Sequence, residues 1–477
     1  MNQRIGLPTV SACGCCLSRR RFLEFSAGCA ACAALGGNAR RASAEASGTA
    51  AAPSKKLRLR VLYSLHGPVQ EGPDWPNKGF DFRPVMQKIE SVLREGCPDF
   101  DFLPAMANGP EAAAKIIEQD QAEGIDGYIV YQMNCWNRVV QSAAATGKPT
   151  LYLDFQFAGS GGFLVYTAGF LRQNVPNVGF LGSSNWDDHV AAVRCFRLVK
   201  EGKGVSDFAA AVAQVRRERT PAPGDLTCLP DAVALLSVEE TLRRLKETKI
   251  LAVGGGWPGI IEPLQKELGI PVESVAFEEL NAAWEKADKD EAAAVADMWK
   301  KAAAVIEDVS PETLQASAAM YLAQKAVLQA HNANAITINC LGGFYGGHIH
   351  AYPCLGFHQL NNEGLIGACE CDLRSTATMV LMTTMTQGRP GFISDPVVDT
   401  AKRQIIYAHC VAANKPFGPQ GPANPFQILT HSEDRQGASV RSLMPEGYMT
   451  TTLEIAPERK TILFHQAKSV GNSLEDR

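Results

Sequence analysis

The sequence has no uninterrupted apolar run near the roughly 20 residues that a membrane-spanning helix needs. No membrane span is therefore expected. It also has no excess of basic charge: 46 Lys and Arg stand against 50 Asp and Glu in 477 residues, a net charge of −4. That balance argues against nucleic acid and anionic membrane surfaces as main partners. Missing too are the nucleophile elbow G-x-S-x-G and a P-loop pattern. Gly254-Gly255-Gly256 follows a strand and invites a phosphate-loop reading, but Trp257-Pro258 comes next, and a tight strand-to-helix turn fits better. A disulfide framework is also absent, although there are 14 cysteines. Five of them (Cys13, Cys15, Cys16, Cys29 and Cys32) sit near the N-terminus, and the other nine are scattered, odd in number and set among apolar residues.

What is present begins with an address. Ser18-Arg19-Arg20-Arg21-Phe22-Leu23-Glu24 precedes a short apolar and small-residue run from Phe25 to Gly37, and Arg40-Arg41 leads into Ala42-Ser43-Ala44. Residues 1–44 read as a twin-arginine signal peptide. The precursor's expected partner is the twin-arginine export machinery, and the expected location is periplasmic or secreted. Removing the segment takes away six basic residues and one acid, which leaves the rest more acidic. Twin-arginine substrates travel folded, so a cofactor inserted before export fits this route. Residues 45–55, rich in Ala, Ser, Gly and Pro, read as a flexible leader.

A chain of this length exceeds one core, so several domains are expected. Leu57–Tyr63 reads as a first strand. Helical runs at 85–94 and 112–122 alternate with short apolar strands at 100–103, 127–131 and 148–154. The same rhythm restarts near Trp186, with helices at 189–201, 238–248, 283–307 and 311–331 and strands at 249–253 and 335–340. Such alternation predicts an α/β fold with parallel sheets covered by helices on both faces. The simplest division is a Rossmann-like, doubly wound domain at 56–185 and a second at 186–395. The segment 396–477 then forms a small β-rich C-terminal domain, possibly truncated, because 439–443, 448–455 and 460–466 alternate polar and apolar residues between turns.

The chemistry concentrates between Tyr352 and Cys410. Glu370 follows the apolar run Gly364–Cys369, Asp395 follows Gly391-Phe392-Ile393-Ser394, and His409 follows Ile405-Ile406-Tyr407-Ala408. Ligands of open α/β sheets bind beyond the carboxyl ends of strands. Two carboxylates and an imidazole delivered there suggest a divalent-metal site with open positions. A charge inside an apolar stretch needs a partner, so Glu370 reads as a metal ligand or half of a buried ion pair. Asp372 has a structural use as the N-cap of a helix over 373–387, with Gly388 just past its end. His348 and His350 read as loop residues. Cys410, beside His409 on a strand, is expected to point to the opposite face.

At these residues the chain resembles the L-fucose/L-arabinose isomerase family, and more closely its fucose isomerase-like branch. Ala368-Cys369-Glu370-Cys371-Asp372 is similar to the family's Ala-x-Glu-x-Asp, and Phe392-Ile393-Ser394-Asp395 to its second ligand strand. His409-Cys410 resembles a His-Cys pair of the relatives, and His431-Ser432-Glu433 with Ala438-Ser439-Val440 a C-terminal His-x-Glu segment. The resemblance implies two Rossmann-like domains with a β-rich third, and a Mn²⁺-dependent aldose–ketose isomerase acting on a small-molecule sugar through an enediolate. It makes Glu370 and Asp395 both metal ligands and acid/base groups, completed by a histidine: His409, with His431 or His465 as alternatives. Gln359, Asn361 and Asn362 are expected to read substrate hydroxyls. Closed homo-oligomers with shared sites are implied, lined near the N-terminal loops by Trp75 and His66. Two other readings fit the same residues: an exported sugar-binding protein without turnover, and a metal-dependent hydrolase or lyase.

The address has a direct test. Replacing Arg19-Arg20 with Lys-Lys is expected to hold the precursor in the cytoplasm, read by fractionation and immunoblot. Undiminished export would overturn the signal reading.

Overall fold

Leu57–Tyr63 contains no turn residue, and its branched and aromatic side chains suit a strand buried on both faces. In the computed structural model, which describes residues 56–474, it forms β1 (Leu57–Ser64). The signal-peptide and leader readings lie outside those residues. β1 is followed by β2 (Phe100–Ala107), β3 (Gly127–Gln132), β4 (Thr150–Asp154) and β5 (Val178–Leu181). All pair in parallel, in the order β2-β1-β3-β4-β5. Alternate side chains enter opposite cores. Leu59, Val61 and Tyr63 pack on one face with Ile129 and Tyr131, and Leu62 packs on the other with Tyr128 and Val130. Helices on both faces bury a parallel sheet in this way.

The next strands are β6 (Ile250–Val253), β7 (Val272–Val275), the short β8 (Val305–Ile306), β9 (Ala335–Ile338) and β10 (Ile366–Cys369). Four of them form a second parallel sheet, β10-β9-β6-β7. The helix expected over 283–307 is two helices, Phe277–Glu285 and Lys289–Ala302. Asp288 divides them because its carboxylate accepts the N–H groups of Asp290 and Glu291, both at 2.9 Å, and so starts a new helix. Gly254–Gly259, which spell G-x-G-x-x-G, form the turn after β6. They open only the short helix Pro258–Pro263. A Cβ on Gly254, at φ +75°, would strike the Phe277 ring.

After β10 the pairing becomes mixed. β11 (Asp395–Asp399) and β12 (Gln404–Ala408) form an antiparallel hairpin. β13 (Phe426–Leu429) pairs antiparallel with β14 (Ser439–Ser442) and parallel with β8. β15 (Met449–Ala456) and β16 (Thr461–Lys468) form a further hairpin. Val411, Phe426, Ile428 and Val440 belong to the same core as the second parallel sheet. Among the described residues no helix is long and apolar enough to cross a membrane.

One buried acid gives the first sheet a pH signature. Asp154, at the end of β4, is 2% exposed; its Oδ2 accepts from Ser160, whereas Oδ1 has no partner. Burial pushes its carboxyl from the ordinary 3.8 up to about 7. Between those values the unfolded chain releases a proton that the folded chain keeps, so this contribution to stability is present below about pH 4 and is lost as pH rises through 7. Asp154→Asn is expected to stabilise the protein at pH 8 by roughly 2–4 kcal/mol and to flatten the pH dependence, read by denaturant titration at pH 5 and 8.

Candidate metal centre

β10 ends at Cys369, and the next two residues turn sharply. Glu370 and Cys371 have φ values of 66° and 50°, in the left-handed region that non-glycine residues rarely occupy. Three anchors hold the turn. The Cys371 N–H donates to the Ile338 carbonyl at 3.1 Å. The Cys371 thiol lies against the Val253 carbonyl at 3.3 Å. Asp372 caps the helix Leu373–Met385, accepting from the Arg374 and Ser375 N–H groups at 3.0 and 3.1 Å. Strain of this kind persists where neighbours over-determine the backbone. It places Glu370 at the open end of the sheet with its side chain 41% exposed, so the expected charge buried in an apolar stretch is not found.

Asp395 arrives differently from expectation. Residues 391–394 form no strand, and Asp395 opens β11 rather than closing one. The register of the hairpin pairs it with Ala408, the residue before His409. Turn and hairpin together bring Glu370, Asp395 and His409 into one group, whose ligand atoms all lie within 4.8 Å of one another. His409 Nε2 is 3.6 Å from Glu370 Oε1 and 3.8 Å from Asp395 Oδ2.

The electrostatics are those of crowded acids. Desolvation by the surrounding walls raises the Asp395 carboxyl above its usual range, opposed by His409 and reinforced by Glu370. Its side chain is 64% accessible, so this loss of hydration reflects a concave setting rather than complete enclosure. Burial disfavours charge on His409, but Cys410, Glu370 and Asp395 together raise its pKa well above normal. Glu433 is a third acid nearby: burial raises its carboxyl, Tyr345 opposes this by donating to it at 2.6 Å, and the charges of Asp74 and Glu370 push it further up.

The remaining predicted residues are placed elsewhere. Gln359 accepts from Trp299 Nε1 at 3.0 Å, Asn361 is bonded to the backbone of Gly367, and Asn362 to His358 and Asn414. None of the three lines the cleft of about 2080 Å³ onto which His409 opens. Trp75 does line it, whereas His66 is paired with Asp74 at 2.7 Å. His465 contacts the Tyr407 hydroxyl at 3.0 Å, and His431 is paired with Asp434 at 3.4 Å. His348 stacks on Phe277, and His350 faces Trp284.

Cys410 departs from expectation. It lies beyond the end of β12, where alternation no longer applies, and its sulfur is 3.4 Å from Nδ1 of His409. Hydrogen bonds from the Cys354 and Cys369 thiols hold its pKa well below the usual thiol value, aided by His409 and against burial. Glu433 belongs to the His431-Ser432-Glu433 segment, in which the sequence marks only the histidine as a candidate ligand. The meeting of the cysteines has no signal in their spacing.

No protein-family model matches the chain. It is similar to the sulfoquinovose isomerase of Priestia aryabhattai, 24% identical over 184 residues, which are 37% of this chain and 41% of that protein. The sulfoquinovose isomerase of Clostridium sp. (strain MSTE9) is 26% identical over 199 residues, 40% and 44% of the two chains. The chain thus spans about two fifths of the length of these curated relatives. Among solved structures, a periplasmic ribose ABC transporter from Conexibacter woesei DSM 14684 is 12% identical with a TM-score of 0.20, covering 60% of this chain and 73% of that one. A likeness at that score carries no argument.

The cap at Asp372 is open to test. Asp372→Ala removes two backbone acceptor contacts beside the left-handed turn and is expected to cost about 1 kcal/mol, read by thermal unfolding. An unchanged melting temperature would show that the turn is held without it.

Proposed function

We propose that the chain is an exported, metal-dependent isomerase-like enzyme that interconverts an aldose and a ketose, acting on a monosaccharide or a derivative. The observation that carries this reading is the convergence of Glu370, Asp395 and His409. The similarity to sulfoquinovose isomerases supports a sugar isomerase and adds a sulfonated hexose to the candidate substrates. On this reading the two parallel sheets are tandem Rossmann-like domains, the C-terminal strands form a β-rich domain, and the working form is a homo-oligomer.

The donor set fits a hard divalent ion such as Mn²⁺. Two carboxylates and one imidazole suit that class, and a cation would relieve the repulsion of Glu370 with Asp395 and with Glu433. When bound, the ion would polarise the sugar carbonyl and stabilise negative charge on the neighbouring oxygens. The rest is the work of side chains. One of Glu370 and Asp395 takes the proton from carbon 2, giving an enediolate, and a proton returns to carbon 1. The other carboxylate shifts the hydroxyl proton between the adjacent oxygens. His409 is held by its contacts to both carboxylates and to Cys410, so its ring has a defined orientation.

The full-length chain, stripped of metal and reloaded with Mn²⁺, is expected to convert at least one member of a panel of aldoses, sulfoquinovose included. Glu370→Gln and Asp395→Asn are each expected to lower turnover by about 10²–10⁴-fold and to weaken Mn²⁺ binding. A Glu370→Gln protein with unchanged metal content and activity would sink the site. Sugar binding without solvent-proton exchange at carbon 2 would overturn catalysis in favour of a binding protein.

A further inference from the structure

On the far side of the His409 ring from the carboxylates, four thiols from separate elements meet. Cys340 follows β9, Cys354 begins the helix Cys354–Asn362, Cys369 ends β10 and Cys410 follows β12. All are free, and Cys340, Cys354 and Cys369 are at most 3% exposed. Cys410 is their centre: Cys354, Cys369 and His431 all act electrostatically with its thiol, and its sulfur lies 3.4 Å from Nδ1 of His409. The sulfurs of Cys369 and Cys410 and a ring nitrogen of His409 all lie within 4.8 Å of one another.

Packing alone explains a single buried thiol, because cysteine behaves as a small apolar side chain. It does not explain two sulfurs and an imidazole that converge within 4.8 Å of one another. The spacing is informative. A tetrahedral zinc ion with bonds of about 2.0–2.1 Å to nitrogen and 2.3 Å to sulfur holds two such ligands roughly 3.6 Å apart. His409 Nδ1 and Cys410 Sγ are 3.4 Å apart.

We propose that Cys369, Cys410 and Nδ1 of His409 form a second cation site that takes a thiophilic ion of the zinc class. The site has sulfur ligands and lies against the core, whereas the carboxylate site on Nε2 is more exposed, with oxygen ligands. The ion binds thiolates, so the bound thiols release their protons to solvent. His409 is the shared wall. With the soft ion alone on Nδ1, Nε2 keeps its proton and faces the carboxylates. An ion on each nitrogen requires the ring to release that proton to solvent as well and bridge as an imidazolate.

The test uses the full-length chain, purified under reducing conditions and loaded with one equivalent of zinc alone. X-ray absorption at the zinc edge is expected to show sulfur neighbours at about 2.3 Å. A shell of oxygen and nitrogen only would overturn the thiol site and leave the carboxylate site untouched. Glu370→Gln is expected to keep the sulfur shell, and its loss there would equally overturn a separate site. Cys369→Ser and Cys410→Ser are each expected to lower zinc affinity at least about tenfold. Unchanged affinity in both would remove them as ligands. Failure of isomerase activity bears on none of these readouts.

Discussion

The imidazole of His409 is the joint on which the site depends. One ring nitrogen faces Glu370 and Asp395 and the other faces the Cys410 sulfur, while the ring itself is almost wholly buried. Neither acid comes from the same element as the histidine: Glu370 follows a parallel strand, and Asp395 opens a hairpin. A shift of one residue in that hairpin would turn Asp395 to the opposite face, because side chains alternate along strands. The site is therefore an agreement between a strained turn and a strand register, with the ring as the point both must satisfy.

Much of the scaffold was legible in the sequence. Short apolar strands between amphipathic helices read directly as parallel β/α architecture, and β1, β3, β4, β6 and β9 lie where the periodicity places them. Glu370, Asp395 and His409 stand out in the sequence because each follows an apolar run, and the fold brings them together by a geometry that differs from that signal. Glu370 projects from a left-handed turn, and Asp395 begins its strand. A run of apolar letters marks a buried segment without saying which end of a strand it supplies.

Other features left no local trace. The break at Asp288 depended on a carboxylate choosing the backbone of the next helix over solvent. The thiols are separated by 14, 15 and 41 positions in sequence from Cys340 through Cys354 and Cys369 to Cys410, and only tertiary packing joins them. Asn361 and Asn362 looked like hydroxyl readers because polar residues before a candidate ligand suggest a binding loop. They stand instead on a helix whose polar groups tie β10 and the 414–415 loop together.

The pairing of β8 with β13 joins residues near 305 to residues near 427. Side chains as late as Val440 complete the core around β6, β9 and β10. On a ribosome, that core has no finished inner surface until more than 130 residues beyond β8 have emerged. The first sheet closes with β5 and can settle long before then. Synthesis thus divides folding into an early event and a late one, and the late one is slow to nucleate because its contacts are distant in sequence. During that interval the apolar strands of the second sheet lack their last cover, and a chaperone would find its binding surface there.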